Sequence, residues 1–231
     1  MSSLTKNKTS EAKKIVFAWS GGKDSSMALH EISRRPDIRV VALITTVTAD
    51  YKRISMHGVR ETLLERQAES IGIPLEKVFI SKNSSNEEYE TKMRTLLLKY
   101  KAEGVNSVAF GDIFLEDLKK YREDNLAKIG MNGIFPIWKR DSRELAERFI
   151  KNGFKAVITC VDTDKIDAKF AGRAFDEEFL KELPPTADPC GENGEFHSFA
   201  FDGPIFKTPI DFKIGETVLR DERFNYCDLL D

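Results

Sequence analysis

Apolar runs typical of buried strands alternate with segments of helical periodicity through the first part of the chain. The predicted strands cover residues 15–19, 40–46, 77–81 and 107–110, and the predicted helices cover 25–34, 59–71, 87–103 and 115–129. Continuous apolar strands separated by helices are typical of parallel sheets with helices on both faces. The pattern therefore predicts an α/β fold with right-handed crossovers.

The pattern changes beyond residue 137. Helices are predicted over 142–152 and 176–183, a strand over 156–161, and a polar loop over 183–195. The short aromatic segments 196–201, 206–212 and 218–220 predict small antiparallel strands. We therefore expect two domains, 14–137 and a smaller α+β domain over 138–231, preceded by a disordered polar tail over 1–13.

Composition narrows the class of protein. Of 231 residues, 41% are hydrophobic and 32% charged, and the net charge is -2. These values are typical of a soluble globular chain without a membrane span or the basic excess of a nucleic-acid binder. Three cysteines without a C-x-x-C pair indicate a reducing compartment, so we expect a cytoplasmic protein.

A glycine-rich turn follows the first predicted strand and precedes the first predicted helix. Its backbone N–H groups and the helix N-terminus predict a phosphate site. The turn is neither a Walker P-loop, since Phe17 and Asp24 occupy two of its key positions, nor G-x-G-x-x-G, since Lys23 replaces a glycine. The candidate phosphate-binding residues are Ser20, Gly21, Gly22, Lys23, Asp24 and Ser25. Asp24 either holds Mg²⁺ against the phosphates or caps the helix.

Two more candidates follow strands of the same predicted sheet, Thr45 and Asp112. Ligands of open parallel sheets bind at the carboxyl ends of the strands, so a nucleotide explains the glycine turn and both residues. Asp112 either contacts the ligand or a metal, or caps the next helix. His57, in a loop before Gly58, is a further candidate on the substrate side.

A second cluster lies in the segment 188–198, where two carboxylates, an amide and an imidazole occur within six residues. The polar and hinge residues of this segment favour a binding loop, and they are Glu192, Asn193, Gly194, Glu195 and His197. A polar turn leading into a strand is the alternative interpretation.

These two motifs together resemble the diphthine–ammonia ligase family of ATP pyrophosphatases, and the resemblance extends from Lys14 to about Asp221. The matching segments are 20–25, 111–113, 121–123, 135–138, 190–197 and 202–204. Ser198 stands where a threonine is common. Residues 56–60 and 114–117 look like bacterial members of the family.

The resemblance implies a Rossmann-like, HUP-type ATP-binding domain and a family-specific C-terminal substrate domain. It also implies that ATP adenylates a carboxylate with release of pyrophosphate, and that ammonia then displaces AMP. ATP, Mg²⁺, ammonium and a carboxylate acceptor are the expected ligands. By the same resemblance, the expected catalytic residues are Glu192, Glu195 and His197, and the expected acceptor contacts are Asn193, Gly194 and His57. In the namesake enzymes the acceptor is diphthine on elongation factor 2. Bacteria are not expected to make diphthamide, so a bacterial member would use another acceptor.

Two alternatives remain open. One is an adenylating enzyme acting on another small carboxylate or on an RNA base, although RNA would favour a more basic surface. The other is a non-catalytic sensor of ATP or AMP, which would not need the polar loop over 188–198. A homodimer is an open possibility for the assembly.

Overall fold

The computed structural model describes residues 12–51, 53–54 and 58–231. Its strands are β1 (Lys13–Ala18), β2 (Ile38–Thr48), β3 (Arg53–Ile54), β4 (Leu75–Ile80), β5 (Ser107–Ala109), β6 (Asn132–Ile134), β7 (Lys155–Asp162), β8 (Phe196–Asp202), β9 (Lys213–Arg220) and β10 (Phe224–Leu230). Its α-helices are α1 (Lys23–Ser33), α2 (Glu61–Ile71), α3 (Asn86–Ala102), α4 (Glu116–Ala127), α5 (Ser142–Lys151) and α6 (Glu177–Glu182), and a 3-10 turn covers Ala168–Phe170.

Sheet A confirms the predicted α/β class. Its parallel strands lie in the order β4-β2-β1-β5-β6, and the short β3 pairs antiparallel with the end of β2. The chain runs outward from β1 to β2 and β4 on one side, and to β5 and β6 on the other. The switch point therefore lies between β1 and β5, beside the ends that carry the glycine turn and Asp112.

Sheet B confirms the predicted smaller C-terminal layer and corrects its strands. It is antiparallel, in the order β8-β7-β10-β9. The predicted strand 206–212 is wrong, because this segment is irregular and contains Pro209, which lacks the N–H of a ladder residue. The sequence patterns did not predict β10. They also missed β3 and β6, each of which has only two or three residues.

One apolar core joins the two sheets. A single cluster of buried side chains includes Phe17 of β1, Leu29 of α1 and Leu63 of α2 together with Phe149 of α5 and Phe199 of β8. A second cluster lies between the opposite face of sheet A and helices α3 and α4. Sheet B is thus held against the α1 and α2 face of sheet A, while the division into domains at residue 137 stays a prediction.

Within the described residues, no helix is both long and apolar enough to cross a membrane.

Candidate functional site

The glycine turn is held from two directions, by β8 and by α2. Gly21 adopts a left-handed backbone conformation with φ of 77°. Its carbonyl accepts hydrogen bonds from the backbone N–H of Ala200 in β8 at 2.8 Å and from Nε2 of Gln67 in α2 at 3.0 Å. A Cβ atom at position 21 would lie 2.7 Å from Oε1 of Gln67, so a side chain there meets both backbone strain and a steric clash.

Hydroxyl groups shape the start of α1. The carbonyl of Gly22 accepts hydrogen bonds from Oγ of Ser25 and Oγ of Ser26, each at 2.9 Å, and Oγ of Ser20 lies 3.1 Å from Oγ of Ser25. Gly22 occupies the N-cap position, and no side chain caps the helix. Asp24 is therefore not the N-cap, and the alternative of a metal or phosphate role remains.

Gly111 brings the end of β5 against this helix start. A Cβ atom at position 111 would lie 2.9 Å from the backbone nitrogen of Ser25 and 3.1 Å from the carbonyl carbon of Asp24. Since both atoms belong to the backbone, a side chain could be accommodated only by moving the turn. Glycine is thus required where the two strand ends meet at the switch point.

A cavity of about 410 Å³ opens at this edge, between sheet A and helices α3 and α4. Ser20 and Thr45 lie on its wall, with Tyr89, Phe110 and Arg122 among the other lining residues. Thr45 is buried, and its hydroxyl has no hydrogen-bond partner among the described residues. The size of the cavity and its mixture of apolar, aromatic and polar lining residues fit a small-molecule site.

Asp112 is paired within the protein. Its Oδ2 lies 2.7 Å from Nε of Arg122 and its Oδ1 accepts from a terminal nitrogen of Arg122 at 3.1 Å. The guanidinium lies 4.4 Å from the ring centroid of Phe110. Burial raises the pKa of Asp112, while Arg122 opposes that rise. Asp112 does not cap α4, whose N-cap is Leu115, and it contacts the wall of the cavity through Arg122, which is a lining residue.

The loop of residues 183–195 lies directly on the glycine turn. The Lys23 ammonium donates to the backbone carbonyl of Cys190, and the Lys23 N–H donates to Oγ of Ser198 at 3.2 Å. Oε1 of Glu192 accepts a hydrogen bond from the N–H of Ile113 at 3.0 Å. The two motifs, which the sequence separates by more than 160 residues, are therefore in direct contact.

The pKa values of Glu192 in the loop and His197 in β8 are both shifted from their ordinary values. Burial, with the nearby charge of Asp24, raises the pKa of Glu192 to about 7. Burial, with the positive charge of Lys23, lowers the pKa of His197 to about 4. At neutral pH Glu192 is thus poised between its two forms, as general acid–base catalysis favours, while His197 is a neutral imidazole of low basicity.

Glu195 holds the loop together from within. It is buried, and its Oε1 accepts hydrogen bonds from the N–H of Asp188 at 2.9 Å and from Nδ2 of Asn193 at 3.3 Å. Its Oε2 is buried and has no hydrogen-bond partner within the described part of the chain. Asn193 is exposed, and Gly194 turns the chain with φ of 83°.

The structure thus gathers most of the predicted residues at one edge, but as two groups. Ser20 and Thr45 face the cavity, whereas Lys23, Asp24, Glu192 and His197 lie where the loop meets α1. His57 lies outside the described residues. Among the described residues, no group of three histidine, cysteine, aspartate or glutamate side chains is placed to hold a metal ion.

Gln67 is a site residue that the sequence reasoning missed. It is fully buried, accepts from the indole N–H of Trp19 at 2.9 Å, and donates to the carbonyls of Gly21 and Ala200 at 3.0 and 2.5 Å. The available signal was an amide among Leu63, Leu64 and Ala68 on the apolar face of α2.

The fold and the site together define a Rossmann-like nucleotide-binding protein with an added antiparallel C-terminal sheet. Comparison with family models makes this specific: the model described as the diphthamide synthase N-terminal domain matches residues 13–133, and that of the C-terminal domain matches residues 141–229. The chain therefore belongs to the diphthamide synthase family.

Similar curated proteins carry the name diphthine–ammonia ligase. The rat protein is 27% identical over 89% of this chain and 85% of its own length. The zebrafish protein is 28% identical over 90% of both chains. The fission yeast protein is 26% identical over 85% of this chain and 36% of its own length. These matches confirm the predicted class of enzyme, a ligase that forms C–N bonds. The likeness to bacterial members stays a prediction.

Proposed function

We propose that the protein is an ATP-dependent, AMP-forming amide ligase that activates a carboxylate and transfers ammonia to it. The observation that supports this most strongly is the seating of the polar loop on the glycine turn. Cys190, Glu192 and Ser198 contact Lys23 or Ile113 directly. A phosphate-binding turn and a set of proton-transfer groups at one sheet edge is what a two-step activation reaction requires.

In the first step, a carboxylate oxygen of the acceptor attacks the α-phosphorus of ATP. The bond from that phosphorus to the bridging oxygen breaks, and pyrophosphate leaves with both electrons. Backbone N–H groups of the turn and the N-terminus of α1 stabilise the charge that develops on the leaving group. The base and ribose are assigned to the cavity beside Thr45.

In the second step, the nitrogen of ammonia attacks the carbonyl carbon of the adenylate, and AMP leaves. The attacking nitrogen must lose a proton, and Glu192 and the neutral imidazole of His197 are the candidate bases. The Oε2 atom of Glu195 can accept a hydrogen bond from the incoming ammonium, since it has no other partner among the described residues. Asn193, Gly194 and His57 stay proposed contacts of the acceptor.

Mg²⁺ fits this site only together with ATP. One oxygen of Asp24 already lies 2.7 Å from the Lys23 ammonium, which leaves its other oxygen as a ligand. Mg²⁺ commonly binds through one or two carboxylates and the substrate phosphates, so Asp24 is the proposed protein ligand. The ion would neutralise phosphate charge.

The proposed acceptor follows the curated relatives, whose name states that they join ammonia to diphthine. We therefore assign diphthine on elongation factor 2 as the first acceptor to be tested. Another carboxylate or an RNA base is the alternative substrate, and a nucleotide sensor is the alternative function.

The test incubates the protein with ATP labelled at the α-phosphate, Mg²⁺, ammonium and diphthine-bearing elongation factor 2. We expect labelled AMP, pyrophosphate and an amidated acceptor in equal amounts. ADP as the product would overturn the proposed reaction. ATP binding without AMP formation on diphthine, other carboxylates or RNA would favour the sensor.

Variants separate the two parts of the site. Gly22→Val should abolish ATP binding, because its side chain obstructs the turn, whereas Glu192→Gln, Glu195→Gln and His197→Ala should retain it and lose amidation about 10²–10⁴-fold. Glu177→Gln, an exposed change in α6, is the control. Normal amidation in all three loop variants would refute the proposed roles.

A further inference from the structure

The side chain of Lys23 is enclosed by the C-terminal part of the chain. Its residue is only 3% exposed. The ammonium donates to Oδ2 of Asp24 at 2.7 Å and to the carbonyl of Cys190, and it lies 5.1 Å from the ring centroid of Phe196 and 5.7 Å from that of Phe175. An ammonium has three N–H donors, so two are already used inside the protein.

The nucleotide cavity lies elsewhere around the turn. The described residues that form its wall include Ser20 and Thr45 but not Lys23. For Lys23 to extend into this cavity, its side chain would have to leave Asp24, Cys190 and two aromatic rings. The movement would break two charge-assisted hydrogen bonds of the ammonium, so it is unfavourable.

Several titratable groups surround the ammonium. Asp24 adjoins it on α1, while Cys190 and Glu192 face it from the loop and His197 from β8. Two carboxylates stand further out, Asp188 beside Asp24 and Asp112 beside Glu192. Burial alone would lower the pKa of Lys23, but the surrounding negative charges, first that of Asp24, raise it overall. Lys23 therefore stays a cation within this group.

We propose that Lys23 is a positioning residue that fastens the loop of residues 183–195 to the glycine turn and holds its charge on the side of Glu192 and His197, and that it is not a phosphate ligand. This revises the role expected from its place in the turn. The inference deepens the proposed function, because Glu192 and His197 are its candidate bases. Its central measurement, however, needs neither acceptor nor turnover.

The proposal predicts a shift of the same sign in both groups. The Lys23 charge lowers the pKa of His197 and that of Glu192. Replacing Lys23 by a neutral residue should raise both, so each group would hold its proton to a higher pH. Loosening of the loop alone would hydrate both groups, which would raise the pKa of His197 but lower that of Glu192, because burial is the first cause of both shifts.

The first experiment titrates His197 by NMR in protein with labelled histidine, assigned through His197→Gln. Lys23→Gln should raise the pKa of His197 by on the order of one unit. Lys23→Arg keeps the charge and should leave it near the native value. Lys165→Gln is the matched control, because the Lys165 ammonium also donates to a loop carbonyl, that of Asn193. An unchanged pKa in Lys23→Gln would overturn the charge-control role, and an equal rise in Lys165→Gln would assign the effect to loosening of the loop.

The second experiment measures ATP affinity by calorimetry. A positioning residue predicts that Lys23→Gln binds ATP within about threefold of the native protein, whereas loss of a charged phosphate contact predicts a decrease of about tenfold or more. If amidation is established, the acid limb of the kcat profile should move to higher pH in this variant. A tenfold loss of affinity would contradict the proposal even if the ligase assignment were correct.

A third measurement uses the native protein, so it does not depend on a variant that folds. Lysine acetylation is followed residue by residue by mass spectrometry, with and without ATP. Enclosure predicts that Lys23 is protected in both cases, while the exposed Lys120 reacts. Fast labelling of Lys23 that ATP suppresses would identify a phosphate ligand and refute the inference.

Discussion

Replacing Gln67 by methionine should destabilise the protein and weaken its phosphate site. The side chain lies where α2, the glycine turn and β8 meet, and it is fully buried. Methionine retains a similar volume, a flexible unbranched stem and a favourable helix propensity. The change therefore removes hydrogen bonds while it preserves most of the packing.

The magnitude follows from the partners that are lost. The Trp19 indole N–H loses the acceptor to which it donates at 2.9 Å, and a buried donor left without a partner costs about 1–3 kcal/mol. The carbonyls of Gly21 and Ala200 each lose a donor, but that of Gly21 keeps the N–H of Ala200. We expect a total loss of about 2–4 kcal/mol, or roughly 4–16 °C in Tm for a chain of this size.

Urea unfolding, with thermal unfolding beside it, measures this loss. Glu69→Met is the control, since Glu69 lies on the same helix and is exposed. ATP affinity should fall in the Gln67 variant only, because the carbonyl of Gly21 loses one of its anchors. Equal urea midpoints for the two variants would refute the assigned role of the amide, and lost stability with unchanged ATP affinity would refute its link to the phosphate site.

Three further predictions concern other parts of the site. Gly111→Ala should weaken ATP binding at least tenfold by calorimetry, because its Cβ meets backbone atoms of the turn, whereas Gly104→Ala, with open space around it, should not. The rate of amidation should rise with pH through about pH 7 as Glu192 ionises, and it should show no second change near pH 6.5 from His197. Glu192→Gln should abolish this rise, and a rise that persists in the variant would exclude Glu192 as the titrating group. Asp228→Asn should destabilise the protein at pH 7 but progressively less below about pH 4. Burial would raise the pKa of Asp228, but hydrogen bonds from two arginines hold that pKa well below its ordinary value. The stability that Asp228 contributes is therefore present above its unfolded pKa and is lost as pH falls. A difference in unfolding free energy between variant and native protein that stays constant with pH in urea would contradict this prediction.

The sequence predicted best those strands and helices whose own residues show a clear pattern. The strands β1, β2, β4 and β5 were predicted because each is a compact run of apolar residues, and α1 because it follows a glycine turn. The interior of β6 carries Gly133, and β10 mixes polar with apolar residues, so neither gave a clear pattern. The segment 206–212 shows the opposite error, since its apolar residues pack against the core without forming a ladder.

The site was predictable in its parts but not in its assembly. The sequence alone predicted that the glycine turn binds phosphate and that the polar loop carries binding or catalytic residues. No local pattern indicates that Lys23 would turn toward Cys190, which lies 167 residues away, or that Glu192 would accept from Ile113, 79 residues away. Gln67 was detectable in principle, because a polar residue on the apolar face of a helix must find buried partners.

The packing around the glycine turn explains why the polar loop that covers it belongs to the C-terminal half of the chain. The turn and the end of β5 already touch through Gly111, so side chains of sheet A have little room to cover the phosphate site from above. Sheet B supplies that cover, since β8 binds the turn through Ala200 and places Ser198 and His197 beside α1. An adenylate is readily hydrolysed by water, so a ligase benefits when the element that covers the turn also carries the groups that receive the proton from ammonia. In the proposed reaction β8 would hold His197 in place and shield the adenylate, so loosening β8 should increase AMP release without amide formation.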